Sequence, residues 1–219
     1  MTASIEPDEV ARRLARLRDR LRLAGGDGVR IVAVTTAFGA GAVQAAVAAG
    51  LTDVGESYAQ ECVAKFADLV VTERPRLHFI GRLQRNKVRR LAGLVDVWQS
   101  IDRPELGREI ARRAPGAKVM VQVHISDECS KGGCRPADVE SLVESLTGMG
   151  LEVVGCMGLG ALGDPRASRT GFRTLRGLVD ELGLDECSMG MSADLEVAVA
   201  EGSTMVRIGR DLFGRRPSS

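Results

Sequence analysis

Aromatic side chains are scarce in this 219-residue chain: they make up 3% of it, with one tryptophan, one tyrosine and five phenylalanines. Stacking surfaces for bases are therefore few. The basic run Arg82, Arg85, Lys87, Arg89 and Arg90 accordingly reads as a solvated face and not as a nucleic-acid groove. Net charge is nearly absent as well, at +1 from 30 Lys+Arg against 29 Asp+Glu, which excludes a bulk field drawing the chain to nucleic acid or an anionic membrane. Any anion site has to be local. There is no long apolar span and no signal-peptide pattern, and the five cysteines (Cys62, Cys129, Cys134, Cys156, Cys187) lack C-x-x-C spacing. A reducing, cytoplasmic setting is the expectation. Cys129 and Cys134 flank Ser130-Lys131-Gly132-Gly133 with no second pair nearby, so they read as free thiols and no metal site is expected. Cys156 and Cys187 fall in apolar runs and read as small core residues.

What is present is a hydrophobic content of 44%, enough for one substantial core and too little chain for two comfortable domains. A single domain over 1–219, monomeric, is expected. An opening helix carries Val10, Leu14, Leu17 and Leu21 on one face, with Pro7, Asp8 and Glu9 as start signals. Strand-like runs then recur at 29–35, 52–54, 77–80, 95–99, 118–125, 151–157, 186–189 and 204–208. Helical stretches separate them at 40–49, 58–71, 84–92, 104–113, 136–149, 167–182 and 193–201. Eight short apolar strands alternating with helices predict a parallel (β/α)8 TIM-type barrel, of α/β class, with an extra N-terminal helix.

Barrels of this kind place their chemistry where strands end, with phosphate often held after strands seven and eight. Two segments fall there: Cys187-Ser188-Met189-Gly190-Met191-Ser192, and Ser203 to Gly214 with Arg207, Gly209 and Arg210. Small residues let backbone N–H groups and hydroxyls close around an anion. Ser192 is read as opening the helix after strand seven, and Gly209 as letting the backbone approach the same oxygens. The competing reading of Ser203, Thr204 and Arg207 is a capped helix followed by a strand whose arginine pairs with a carboxylate. Met189, Met191 and Met205 read as fillers of the barrel interior.

From Val32 to Gly214 the chain resembles the pyridoxal 5'-phosphate (PLP) homeostasis family, single-barrel relatives of alanine racemase. The likeness is carried by Asp53-Val54-Gly55-Glu56, the run from His78 to Lys87, the segment from Gln122 to Lys131, and the two tail motifs. It implies that Ser188, Ser192 and the amides of Gly209 and Arg210 hold a phosphate, with Gly190 between the serines. It also implies that Arg207 faces the pyridine nitrogen, keeping it unprotonated and weakening the ring as an electron sink. His78, within the motif, reads as a structural hydrogen-bonding residue.

The resemblance breaks at one decisive place. The family ends its first strand in a lysine that holds the cofactor, and here Val34-Thr35-Thr36-Ala37 puts Thr36 there. A hydroxyl cannot form an imine, so covalent capture at residue 36 is excluded. Other departures cluster at the same end: Ser57 and His124 stand where the family usually has asparagine, Gly158 where it has alanine, and Ala193 where an acid is common. Drift would scatter such changes, so their concentration points to altered ligand use. The first expectation is non-covalent binding of PLP or a related phosphorylated small molecule. The alternative is a repurposed enzyme with PLP-independent chemistry, using His124 as acid or base near Asp127 and Cys129, with Ser57 or Thr36 positioning substrate. Against this stands a His124 that is simply hydrogen-bonded within the barrel.

Overall fold

The computed structural model of the protein describes residues 5–67, 69–126, 128, 131–161 and 165–216. Its strands are β1 (Arg30–Val34), β2 (Asp53–Glu56), β3 (Arg76–Phe79), β4 (Val97–Ile101), β5 (Lys118–Val123), β6 (Glu152–Gly158), β7 (Glu186–Ser188) and β8 (Met205–Ile208). They pair in parallel in chain order, and β8 closes on β1 with Ile31 opposite Val206 and Ala33 opposite Ile208. The expected eight-stranded barrel is the observed one. Helices α1 (Pro7–Leu23), α2 (Ala40–Ala48), α3 (Ala59–Ala67), α4 (Val88–Leu91), α5 (Pro104–Arg113), α6 (Val139–Gly148), α7 (Ser168–Glu181), α8 (Leu195–Ala200) and α9 (Arg210–Phe213) surround it.

The period-two alternation of each strand divides the interior into two layers. Ile31, Ala33, Val54, Leu77, Phe79, Trp98, Val121, Cys156, Cys187, Val206 and Ile208 point outward and build the main core with the helices. The lumen holds a smaller apolar plug of Val97, Met120 and Met157, and above and beside it a set of buried polar side chains. Cys62, Cys156 and Cys187 are buried free thiols whose pKa is pushed up to about 12 by burial, which suits inert core residues. Helix α1 starts on Pro7 and buries Val10, Leu14, Leu17 and Leu21 against α2, α8 and α9.

Several boundaries differ from expectation for identifiable reasons. Strand four begins at Val97 instead of Val95, because Asp96 leaves the ladder. Its amide donates to Leu77 O and its carboxylate accepts from Leu77 N. Strand five stops at Val123 because His124 N donates to Cys134 O in the following loop. The helix expected over 84–92 is a 3-10 turn at Arg85–Lys87 followed by α4, with only Val88 and Leu91 buried to anchor it. The helix after β7 begins at Leu195, because the Asp194 carboxylate accepts from Met191 N, so Ser192 does not cap it. Met189 lies in the outer core and Met191 is only half-buried; of the three methionines, Met205 alone reaches the lumen polar set, by its contact with Gln99.

The end of β1 is held from outside the barrel by α3. Lys65 Nζ, buried, donates to Thr35 O at 2.6 Å and to Glu56 Oε1 at 2.7 Å, and lies 3.5 Å from Glu61 Oε2. Thr35 Oγ donates to the same Glu56 oxygen at 2.5 Å. Glu61 accepts from the amide of Ala37, which has φ +68°, a left-handed conformation that a residue with a Cβ adopts only when held. Burial raises the Glu56 pKa despite the lysine, and its Oε2 has no partner among the described residues. A raised carboxyl pKa favours the folded state below the ordinary pKa and is lost as pH climbs through the raised one. Removing the lysine widens that gap. Lys65→Met is therefore expected to cost about 3 kcal/mol at pH 8 and less at pH 5, by urea unfolding, with Glu56→Gln added to it restoring part of the loss. An equal cost at both pH values would show that Glu56 is not the group left uncompensated.

Candidate functional site at the barrel mouth

A directional chain of hydrogen bonds crosses the lumen. Arg207, on β8, is buried and donates from Nη1 to Ser188 Oγ (2.6 Å) and Ser188 O (2.8 Å), and from Nη2 to Gly158 O (2.7 Å). A guanidinium can only donate, so Ser188 must pass its own hydrogen onward, and it does so to Gln99 Oε1 at 2.8 Å. That fixes the Gln99 amide, whose Nε2 meets His78 Nδ1 at 2.7 Å. Nδ1 must then accept, which puts the imidazole proton on Nε2, 2.8 Å from Asp53 Oδ1. Asp53 also takes Thr52 Oγ and the Arg76 guanidinium at the opposite end of the barrel. Burial pushes the Asp53 pKa up, but the bonds from His78 and Thr52 and the nearby positive charge bring it below its usual value. Every partner in this chain comes from a different strand at an inward position.

Arg207 is a cation whose direct partners are all neutral oxygens. Burial draws its pKa down to about 10, opposed mainly by the charge of Asp194, so it remains protonated at neutral pH. No carboxylate among the described residues lies within 4.0 Å of it, so the reading in which it pairs with an acid is not what the structure contains. Its backbone amide donates to Gly190 O, where Gly190 has φ +98° and a Cβ would lie 2.5 Å from that of Ala198. Only glycine fits this turn.

Of the two serines, Ser188 is at the bottom of the mouth with its hydroxyl engaged by Arg207 and Gln99. Ser192 is half-buried and reaches the start of α9, where its Oγ accepts from Asp211 N at 3.3 Å. Gly209 is the N-cap of α9, and a Cβ there would come 3.3 Å from Val34 O. Ser192, Gly209 and Arg210 therefore meet around the first amides of a helix, groups with no partner inside that helix. This short helix was absent from the sequence expectation; the pair Gly209-Arg210 after an apolar strand was its only signal.

Thr36 and Ser57 continue the inward alternation of β1 and β2. Their hydroxyls share a hydrogen bond of 3.1 Å, and Thr36 Oγ accepts from Ser57 N at 2.9 Å. His124, one step beyond β5, sits 2.7 Å through Nδ1 from Lys131 O. A carbonyl only accepts, so Nδ1 carries a hydrogen, and in the neutral ring the lone pair is on Nε2. Gly133 allows the loop to close here: its φ is +136°, and a Cβ would sit 2.5 Å from His124 N. Asp127 and Cys129, named with His124 as possible partners, lie outside the described residues. Cys134 is half-buried, its pKa pushed up to about 11 by burial, and no cluster of three potential metal ligands occurs among the described residues. Lys131 is engaged by Glu128 at 2.7 Å and by Gly160 O. No helix among the described residues is long and apolar enough to cross a membrane.

Residues 5–217 match the family described as alanine racemase, N-terminal domain. The chain is 40% identical over 222 residues to a pyridoxal phosphate homeostasis protein of Pseudomonas aeruginosa, covering 95% of each chain. It is 33% identical to that of Escherichia coli K12, covering 97% of this chain and 99% of the other. Among solved structures it is similar to PipY of Synechococcus elongatus without PLP, with a TM-score of 0.85, 33% identity, and coverage of 94% of this chain and all of that one. The PLP-bound form of PipY gives a TM-score of 0.80 at 32% identity over the same shares. An alanine racemase of Bacillus anthracis, 17% identical with a TM-score of 0.73, shares the fold over 57% of its own length.

The lumen chain makes a specific spectroscopic claim. Nitrogen-15 NMR of His78 should show the proton on Nε2 and a bare Nδ1; a proton on Nδ1 would mean that the Gln99 amide is turned round and the chain broken. Gln99→Leu strands the Ser188 hydrogen and His78 Nδ1 in the interior, and should destabilise the fold by about 2–4 kcal/mol in urea titration.

Proposed function

We propose that this chain, which belongs to the alanine racemase N-terminal domain family and within it to the pyridoxal phosphate homeostasis proteins, binds PLP reversibly and without a covalent link at the barrel mouth. The observation that carries this reading is the buried, un-neutralised Arg207 beside the Ser192 and α9 junction, with a threonine at the end of β1. The residues present fit the group in its two distinctive parts. Ser192 and the amides of Gly209 and Arg210 would take the phosphate, with the α9 start supplying partial positive charge. Arg207, fixed by Ser188 and Gly158, would donate to the pyridine nitrogen. When bound, PLP offers an aldehyde and an electron-withdrawing ring; a donor that stays protonated keeps that ring unprotonated and its carbon chemistry muted.

Ser188 enters this reading as the residue that orients Arg207, since its hydroxyl is already engaged twice. Thr36 and Ser57 would face the aldehyde end with hydroxyls that hydrogen-bond it and cannot trap it. Release is then limited by a few charge-assisted hydrogen bonds. A protein that holds and returns the cofactor, in the manner of a buffer, is the role these residues support.

A second reading has its own observation: the Nδ1–H bond to Lys131 O leaves His124 Nε2 free to take a proton at the mouth. On that reading the barrel turns over a substrate without PLP. His124→Ala would abolish that turnover while leaving PLP affinity within about twofold; unchanged turnover would remove this reading.

Three measurements test the first reading. PLP added to the protein should bind by equilibrium dialysis yet leave no borohydride-fixed adduct; a lysine-linked pyridoxyl group found by mass spectrometry would overturn it. Thr36→Lys should yield a yellow, reducible adduct at residue 36. Gly209→Val, which crowds Val34 O and the helix start, should weaken PLP binding roughly ten- to hundredfold, the loss of one or two phosphate contacts.

A further inference from the structure

We propose that the cleft between the start of α3 and the 3-10 turn at Arg85–Lys87 is a second anion site, separate from the lumen, that takes the phosphate of a phosphate monoester arriving at the mouth. The proposal goes beyond the reading of the mouth and shares only Ser57 with it. The cleft has a volume of about 330 Å³, within the range of small-molecule sites, and is lined by Ser57, Tyr58, Glu61, Arg82, Gln84 and Lys87 over a floor that includes Phe79.

The charge here is locally unbalanced. The chain is close to neutral, and many of its cations are matched, among them Arg20 with Glu196 and Asp211, Arg30 with Glu186, Arg74 with Asp96, Arg112 with Glu109, and Arg169 with Glu201. From Arg82 to Arg90 the sequence has five cations and no acid, and among the described residues none of the five has a carboxylate within 4.0 Å. Arg82 and Lys87 turn this surplus into the cleft. Its one acid, Glu61, is already committed to Ala37 N and Lys65. An arginine and a half-buried lysine with no acid to answer them are the donors that a compact dianion needs.

The other walls supply hydrogen bonds and a flat face. Thr36 Oγ accepts from Ser57 N and can donate to Ser57 Oγ, which leaves the Ser57 hydrogen free to point into the cleft. Gln84 is exposed at the rim. Tyr58, the only tyrosine of the chain, is 57% exposed beside it, a ring with no aromatic or cationic partner among the described residues. Ser57 lies on both sides of the boundary, touching Thr36 of the mouth and lining the cleft. A phosphate held here therefore stands one residue away from the lumen, the place for a ligand about to enter or just released.

The test is a proton–nitrogen NMR titration of the whole protein, first with inorganic phosphate and then with pyridoxal 5'-phosphate. Inorganic phosphate should shift the amides of Ser57, Tyr58, Gln84 and Lys87 saturably, and 0.5 M KCl should weaken the effect. Arg82→Gln with Lys87→Gln should weaken this binding about tenfold or more. Neither residue is in the core, so the urea midpoint should hold; if it falls, Arg82→Gln alone, at an exposed position, carries the measurement. Gly209→Val should leave the cleft shifts unchanged while reducing PLP binding, which separates failure of this site from failure of the mouth. Phosphate shifts confined to Ser192, Gly209 and Arg210, or cleft shifts that survive the double substitution, would overturn the proposal. If PLP shifts the cleft amides and inorganic phosphate does not, a phosphate site is likewise refuted.

Discussion

A guanidinium buried without a carboxylate beside it is the constraint around which the interior of this barrel is arranged. Moving a cation out of water costs several kcal/mol, and three neutral oxygens around Arg207 offset only part of it. The remainder is met at a distance. Because Arg207 only donates, each polar group on the path must accept on one side and donate on the other, until the chain ends on the Asp53 carboxylate. Aligned dipoles of this kind polarise one another, so the negative end is felt at the positive end although the two residues do not touch. Remove any middle member and both halves are left with an unpaired group in the dry interior.

The same constraint bears on the anion site proposed at the mouth. If Arg207 were neutralised by a neighbouring acid, its field at the mouth would be cancelled. With no carboxylate within 4.0 Å among the described residues, the positive charge of Arg207 stays where β7 and β8 end, next to the start of α9. Asp194 is the main tempering charge, and it is occupied by the Met191 amide that shapes the loop.

Much of this architecture was legible in the sequence because it depends on short-period patterns. Strands that alternate with helices announce a parallel barrel, and Ser188, Gly190, Ser192, Arg207 and Gly209 stand at strand ends for that reason. What stayed hidden depends on pairings between distant segments. Gln99 looks like an ordinary strand glutamine until β3 and β7 place His78 and Ser188 on either side of it. Lys65 is buried against Glu56 and Thr35 O, and nothing in its local sequence says so. The helix start was misplaced after β7 because Ser192 looks like a cap; its partner, the amide of Asp211, is 19 residues further on.

The end of β1 shows how the chain can change its chemistry without disturbing its frame. Thr35 and Thr36 are neighbours in sequence and face opposite ways, as strand geometry requires. Thr35 points outward, bonds Glu56 and offers its carbonyl to Lys65, while Glu61 holds the left-handed Ala37. Thr36 points inward, and among the described residues its hydroxyl hydrogen-bonds Ser57. The outer residue with its two charged partners, and Glu61 holding the next turn, set where the strand ends; the inner one would decide what a ligand finds there. A hydroxyl at 36 therefore sits in a mouth whose backbone is held by contacts that do not involve it, and an amine introduced at that position would inherit the same frame. On the function proposed above, that separation would let one barrel hold an aldehyde covalently or release it freely by the identity of a single inward side chain.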